Sequence, residues 1–163
     1  MHPDTPAEGI TLEAMFAGRN FDVAAAQARI AQIAAAEGLP YGMRTHSYNS
    51  RLAQEMAKWA ETQPGGIKIH DAIFKAYFVD GVNLAEVDRL VEVAASTGLP
   101  GDGAREALDS HAFSTAVDLD WQRSASSGVT GVPTYVMGGR GVSGAQPYEV
   151  LEQFVVQAGA RPR

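Results

Sequence analysis

The hydrophobic period of this chain changes near Gly128, and that change limits the folds open to it. Up to Ser126, apolar residues recur every three or four positions. From Val129 to Met137 they become β-branched and aromatic, the pattern of a strand. A long helical part therefore precedes a short β part. Composition agrees: 27 of the 163 residues are alanine, the strongest helix former and a weak core filler. The length suits one ordinary domain.

Several helices are bounded by their own signals. The spacing of Val23, Ala26, Ile30 and Ile33 predicts a helix over 22–37 with that face turned inward, closed by Gly38 and Pro40. A second, about 50–62, sets Leu52, Met56, Trp59 and Ala60 inward, with Asn49 able to cap it. A third, about 67–79, carries Ile69, Ile73, Phe74, Tyr77 and Phe78, read as core rather than as a cofactor box. Asn83 with Glu86 opens a fourth, which ends at Gly98. Two more are expected, from Asp102 to about Ser110 and from Phe113 to Ser126. Residues 1–20 are punctuated by proline and glycine and read as irregular, apart from a helical turn around Leu12–Phe16.

The β part reads as a strand over 129–137, a turn at Gly138-Gly139-Arg140-Gly141, and a return strand over 142–145. Pro147 then opens a final amphipathic helix with Val150, Leu151, Phe154 and Val155. Two strands alone are marginal in water, and their edges present unpaired backbone groups. The hairpin is therefore expected to recruit a neighbour, giving a homo-oligomer.

Charge and residue types exclude much chemistry. Thirteen basic against nineteen acidic residues give −6, which disfavours nucleic acid and anionic membrane surfaces as partners. No signal peptide and no membrane-length apolar run are visible, so the expected compartment is the cytoplasm. The absence of cysteine removes disulfides, cysteine-ligated metals and any thiol nucleophile carried by this chain. His2, His46, His70 and His111 show no metal-binding spacing, and no metal is expected. His46 is read as a surface residue and His70 as partly buried or capping. Asp118 and Asp120 are taken as a solvated helix face. The glycine-rich turn at 138–141 leads into a strand, not a helix, so it is not a phosphate loop.

The stretch Gly128-Val129-Thr130-Gly131-Val132-Pro133-Thr134 is the most informative. Proline cannot donate to a ladder, so Pro133 belongs at an edge or an irregularity. Cis is the minority form of X–Pro bonds, and the dipeptide alone points to a trans edge proline. A cis bond here would expose the backbone N–H and C=O ahead of the strand for pairing with an extended peptide.

This stretch, its Gly turn and Ser143-Gly144-Ala145-Gln146-Pro147 resemble the C-terminal end of DsbA-like thioredoxin-fold proteins. They are most similar to the FrnE-like branch, also described as 2-hydroxychromene-2-carboxylate isomerase-like. Upstream, Tyr48–Gln54 and Phe74–Phe78 with Gly81 look like that branch's second and third inserted helices, and Leu39-Pro40-Tyr41 looks like the loop between its first two. The resemblance implies an α/β, mostly helical chain: an incomplete thioredoxin-like fold with an all-α inserted domain, a C-terminal β-hairpin and a closing helix. Its implied divisions are 1–20, an irregular segment after a missing thioredoxin half; 21–127, the helical insertion; and 128–160, the C-terminal ββα part. In the family a strand, a Cys-x-x-Cys helix and a second strand come first, and no cysteine answers to them here.

The resemblance therefore implies a truncated thiol–disulfide oxidoreductase that is redox-inactive alone, with no catalytic residue in this chain. Carried over, Gly131, Val132 and Pro133 form the substrate-holding cis-proline loop, with Thr130 helping to shape it. The partner would be an extended peptide or a protein thiol or disulfide. Asn49 and Ser50 are candidate ligand contacts, weighed against plain helix capping. Two alternatives stay open: a non-catalytic peptide-binding or self-assembling remnant, and a glutathione-dependent isomerase-like protein. Only the isomerase alternative calls for a cofactor.

Overall fold

The computed structural model describes residues 4–161, which group into two compact units, one up to Val117 and one from Asp118 onward. In the first unit, β1 (Ile10–Thr11) leads directly into α1 (Leu12–Met15). Then follow α2 (Val23–Ala36), β2 (His46–Ser47), α3 (Arg51–Ala60), a 3-10 turn (Gly66–Lys68), α4 (Ile69–Phe78), α5 (Val87–Ser96) and α6 (Gly101–Asp109). The helix α7 (Ser114–Ser126) runs across the division. The second unit continues with β3 (Thr134–Met137), β4 (Arg140–Ser143) and α8 (Tyr148–Gln157).

The core of the first unit lies among α3, α4, α5 and α6. Met56, Ile69 and Leu90 are sealed from solvent and Leu108 is nearly so, with Trp59, Leu84 and Leu99 around them. Ala60, Ala94 and Ala104 are fully buried as well. A methyl side chain lets neighbouring helix axes approach closely, which gives the high alanine count a structural use. Gly66 carries this further, because a Cβ there would collide with the carbonyl oxygen of Ala60.

The signals at helix ends mostly act where they stand. The Asp22 side chain accepts from the Ala25 N–H at 2.9 Å and caps α2. Gly38 and Gly98 take left-handed conformations just after α2 and α5. Pro147 immediately precedes α8. Asn83 accepts from the Ala85 N–H (3.0 Å) and donates to Glu86 (2.9 Å), yet α5 starts only at Val87. The capping pair shapes the turn before the helix rather than its first residue.

Four expectations are corrected. Residues 1–20 are not wholly irregular, since Ile10–Thr11 pairs antiparallel with His46–Ser47. Strands of two residues show no period a sequence could reveal. Asn49 and Asn83 also hold this segment, donating to the carbonyls of Thr5 (3.0 Å) and Ala7 (2.9 Å). The α2 face is as expected only in its first half: Val23 and Ala26 are half-buried, but Ile30 and Ile33 are exposed, with Ala31 and Ala34 half-buried in their place. So many alanines leave a helix little preference for either face. Phe74, expected in the core, is 60% exposed. Finally, the strand expected over 129–137 begins at Thr134, because Pro133 has no N–H for the ladder. The turn is correspondingly shorter. Gly138 and Gly139 (φ 58° and 73°) alone make the two-residue connection, and β4 ends at Ser143.

Among the described residues, no helix is long and apolar enough to cross a membrane.

Candidate proline-loop site

The loop from Gly128 to Pro133 delivers the chain into β3, and its shape follows from the pairing beyond it. Thr134 faces Ser143 across the hairpin and Met137 faces Arg140. The Thr134 hydroxyl donates to the Gly131 carbonyl at 2.6 Å and meets the Ser143 hydroxyl at 3.0 Å. The Gly144 N–H donates to the Pro133 carbonyl at 2.8 Å. The loop is thus tied back at Gly131 and again at Pro133.

Between those ties the chain stands free. The Val132–Pro133 peptide bond is cis. Val132 is 91% exposed, and among the described residues no hydrogen bond engages its N–H or C=O. Gly131 and Pro133 are also exposed. Thr130 is exposed too, and the hydroxyl that closes the loop belongs to Thr134. Sequence reasoning passed over Thr134 because a threonine at the start of a strand looks like an ordinary strand former. Its pairing with Ser143, nine residues away, was the missing signal.

Asn49 and Ser50 lie in the other compact unit. Besides holding Thr5, Asn49 accepts from the Arg51 N–H at 2.9 Å. The Ser50 hydroxyl accepts from Gln54 at 3.0 Å. Both are engaged in opening α3 and anchoring the chain before it.

A polar cluster not foreseen from the sequence lies beneath α3. Glu55 is only 2% exposed, and its carboxylate accepts from Arg51 Nε at 3.0 Å and meets His111 Nδ1 at 3.1 Å. Arg51 reaches on to the Ser114 carbonyl at 2.9 Å. His111 takes φ +50°, at the position after α6 where glycine is usual. The available signal was Glu55 itself, which shares the inward face of Leu52, Met56 and Trp59. His46 lies in β2, half-buried and stacked on Tyr48, rather than on the surface. His2 lies outside the described residues.

A groove of about 600 Å³ between α4 and α5 is lined by charged residues that already answer one another. Lys75 pairs with Asp80 at 2.7 Å and Arg89 with Glu92 at 3.1 Å. Among the described residues, no three His, Cys, Asp or Glu side chains gather as a metal ion would require.

A mostly helical chain ending in a hairpin that opens on a proline, followed by a closing helix, has the DsbA-like, thioredoxin-type α/β fold. The chain belongs to the DSBA-like thioredoxin domain family, whose model matches residues 7–156. It is similar to the uncharacterized protein YwbO of Bacillus subtilis (strain 168), 28% identical over 116 residues. That match covers 68% of this chain and 55% of YwbO, so the chain spans about half the length of this curated relative. A crystal structure from Nitrosomonas europaea, of a protein provisionally named a protein disulfide isomerase, superposes with a TM-score of 0.62. It covers 82% of this chain and 72% of that one at 18% identity, a likeness of fold alone.

Proposed function

We propose that this chain is the substrate-holding and helical portion of a DsbA-like thiol–disulfide oxidoreductase of the FrnE-like branch, acting in the cytoplasm. One observation carries the reading: in a member of this family, Val132 stands exposed at the mouth of β3 with its backbone donor and acceptor unengaged. An extended peptide aligned there gains two main-chain hydrogen bonds in the manner of an added strand. Thr130, Gly131, Val132 and Pro133 form the holding loop, and the partner is a peptide or protein bearing a thiol or disulfide.

The chain has no cysteine. In this reading the attacking thiolate and the resolving thiol therefore belong to a Cys-x-x-Cys unit outside the present sequence. Insulin reduction by this chain alone is expected to be nil. The reading frame upstream of Met1 is the direct test. A strand and a Cys-x-x-Cys helix encoded there support the oxidoreductase, and their absence rejects it for the natural product. Peptide holding is checked separately by titrating an extended peptide against 15N-labelled protein. Val132→Pro, which removes the donor, should weaken binding about tenfold, or ~1.4 kcal/mol.

A second reading, a self-assembling remnant without redox activity, draws on the open edges of the β3–β4 hairpin. A dimer in light scattering, lost in Gly141→Pro, which removes an outward-facing N–H of β4, would favour it.

A further inference from the structure

We propose that Arg44 anchors a binding site for an organic carboxylate, built by the segment between α2 and β2 where it meets the end of α4. The proposal lies in the helical unit and is independent of thiol chemistry.

The segment is fixed from several sides. The Gly42 N–H donates to the Phe78 carbonyl at 2.8 Å, and Gly42 sits so near Val79 that a Cβ would strike its carbonyl oxygen. The Arg44 N–H donates to Gln27 on α2 at 2.8 Å. The side chain then crosses the end of α4, with its guanidinium carbon 4.5 Å from the Tyr77 ring centre and 5.0 Å from that of Phe78. A guanidinium keeps its charge at every accessible pH. Its contacts with the two rings offset only part of the cost of removing it from water.

What this corner lacks is an acceptor. Among the described residues no carboxylate pairs with Arg44. Its Nε is closed from water without a hydrogen-bond partner, and so is the hydroxyl of Tyr41, three residues earlier in the same segment. Buried donors without acceptors are rare in folded proteins. A carboxylate is the complementary group, since it is planar like the guanidinium, carries one negative charge and offers lone pairs to several donors. The surroundings suggest the rest of the ligand. Met43 is 63% exposed, and Phe74, whose ring centre lies 6.1 Å from that of Phe78, is 60% exposed. The site thus fits a carboxylate on an apolar body, either a free acid or the C-terminus of a peptide ending in an apolar residue.

The test is an NMR titration of the 15N-labelled protein with hexanoate, acetate and hexanol, following the Arg44 Nε–H signal. Hexanoate should shift that signal at millimolar concentration, acetate more weakly, and hexanol not at all. Arg44→Gln should weaken hexanoate binding about tenfold and Tyr41→Phe about threefold. If Arg44→Gln fails to fold, Arg44→Lys retains the charge over the rings without the fork and should weaken binding several-fold. A peptide ending in leucine is titrated with a free and with an amidated C-terminus. Tighter binding of the free-ended peptide than of hexanoate assigns the peptide source, and the reverse assigns the free acid. The proposal is overturned by equal binding to wild type and the Arg44 variants. It is also overturned if no carboxylate moves the Arg44 signal up to about 50 mM.

Discussion

The helical unit and the C-terminal ββα unit are built to different standards. The first seals Met56, Ile69, Leu90 and Leu108 in one cluster with buried alanines. From Asp118 to Arg161 no residue is fully buried, and Tyr135, Val136, Tyr148 and Val156 are all at least 40% exposed. Only Leu151 and Phe154 of α8 reach half-burial. A region that buries so little apolar surface contributes little stability of its own. The proline loop belongs to this second region. The portion proposed to hold substrate is therefore the one least able to hold itself, and the helices supply a folded anchor on the same chain.

Truncations in the two units should separate them most clearly. Leu90→Ala is expected to cost about 3 kcal/mol, because it opens a cavity in a closed core. Leu151→Ala, at a half-buried site, is expected to cost under about 1 kcal/mol. Urea titrations followed by circular dichroism would compare them, and equal losses would erase the contrast. Breaking the polar cluster comes next. Glu55→Ala leaves Arg51 and His111 without their shared carboxylate and is expected to cost about 2 kcal/mol. This is less than a fully buried pair would lose, since both partners keep access to water. His111 sharpens the comparison further. His111→Ala should lose about 1 kcal/mol and His111→Gly clearly less, because glycine regains freedom at φ +50°. The reverse order in thermal melts would show that the backbone there carries no penalty. The smallest effect is expected at the loop. Thr134→Ala should cost about 0.5 kcal/mol in stability while releasing the Gly131 carbonyl. It would be visible mainly as faster amide exchange at Gly144, whose N–H donates to the Pro133 carbonyl beside the released tie.

Legibility in the sequence followed the same division. Helix ends could be read because their signals are local: Asp22 acts on Ala25, and Gly38 and Gly98 act on the turns beside them. That Pro133 marks an edge or an irregularity could be read from the β-branched run around it, but not that the strand starts only after it. The holding loop ahead of it is drawn from the family resemblance. What stayed hidden depends on distant partners. Glu55 and His111 lie fifty-six positions apart, and the β1–β2 pair joins residues with no alternating pattern. The direction of α2 stayed hidden for another reason. Its alanines are equally content on either side, so only the surroundings decide which face turns inward.

The fully buried alanines also determine how this protein can change. A larger side chain at Ala60, Ala94 or Ala104 has no outlet to solvent and must be taken up within the core, and overpacking of that kind typically costs about 1–3 kcal/mol. Drift or design in this interior must therefore proceed by paired exchanges, one side chain shrinking as its neighbour grows. The outward faces are free of that rule.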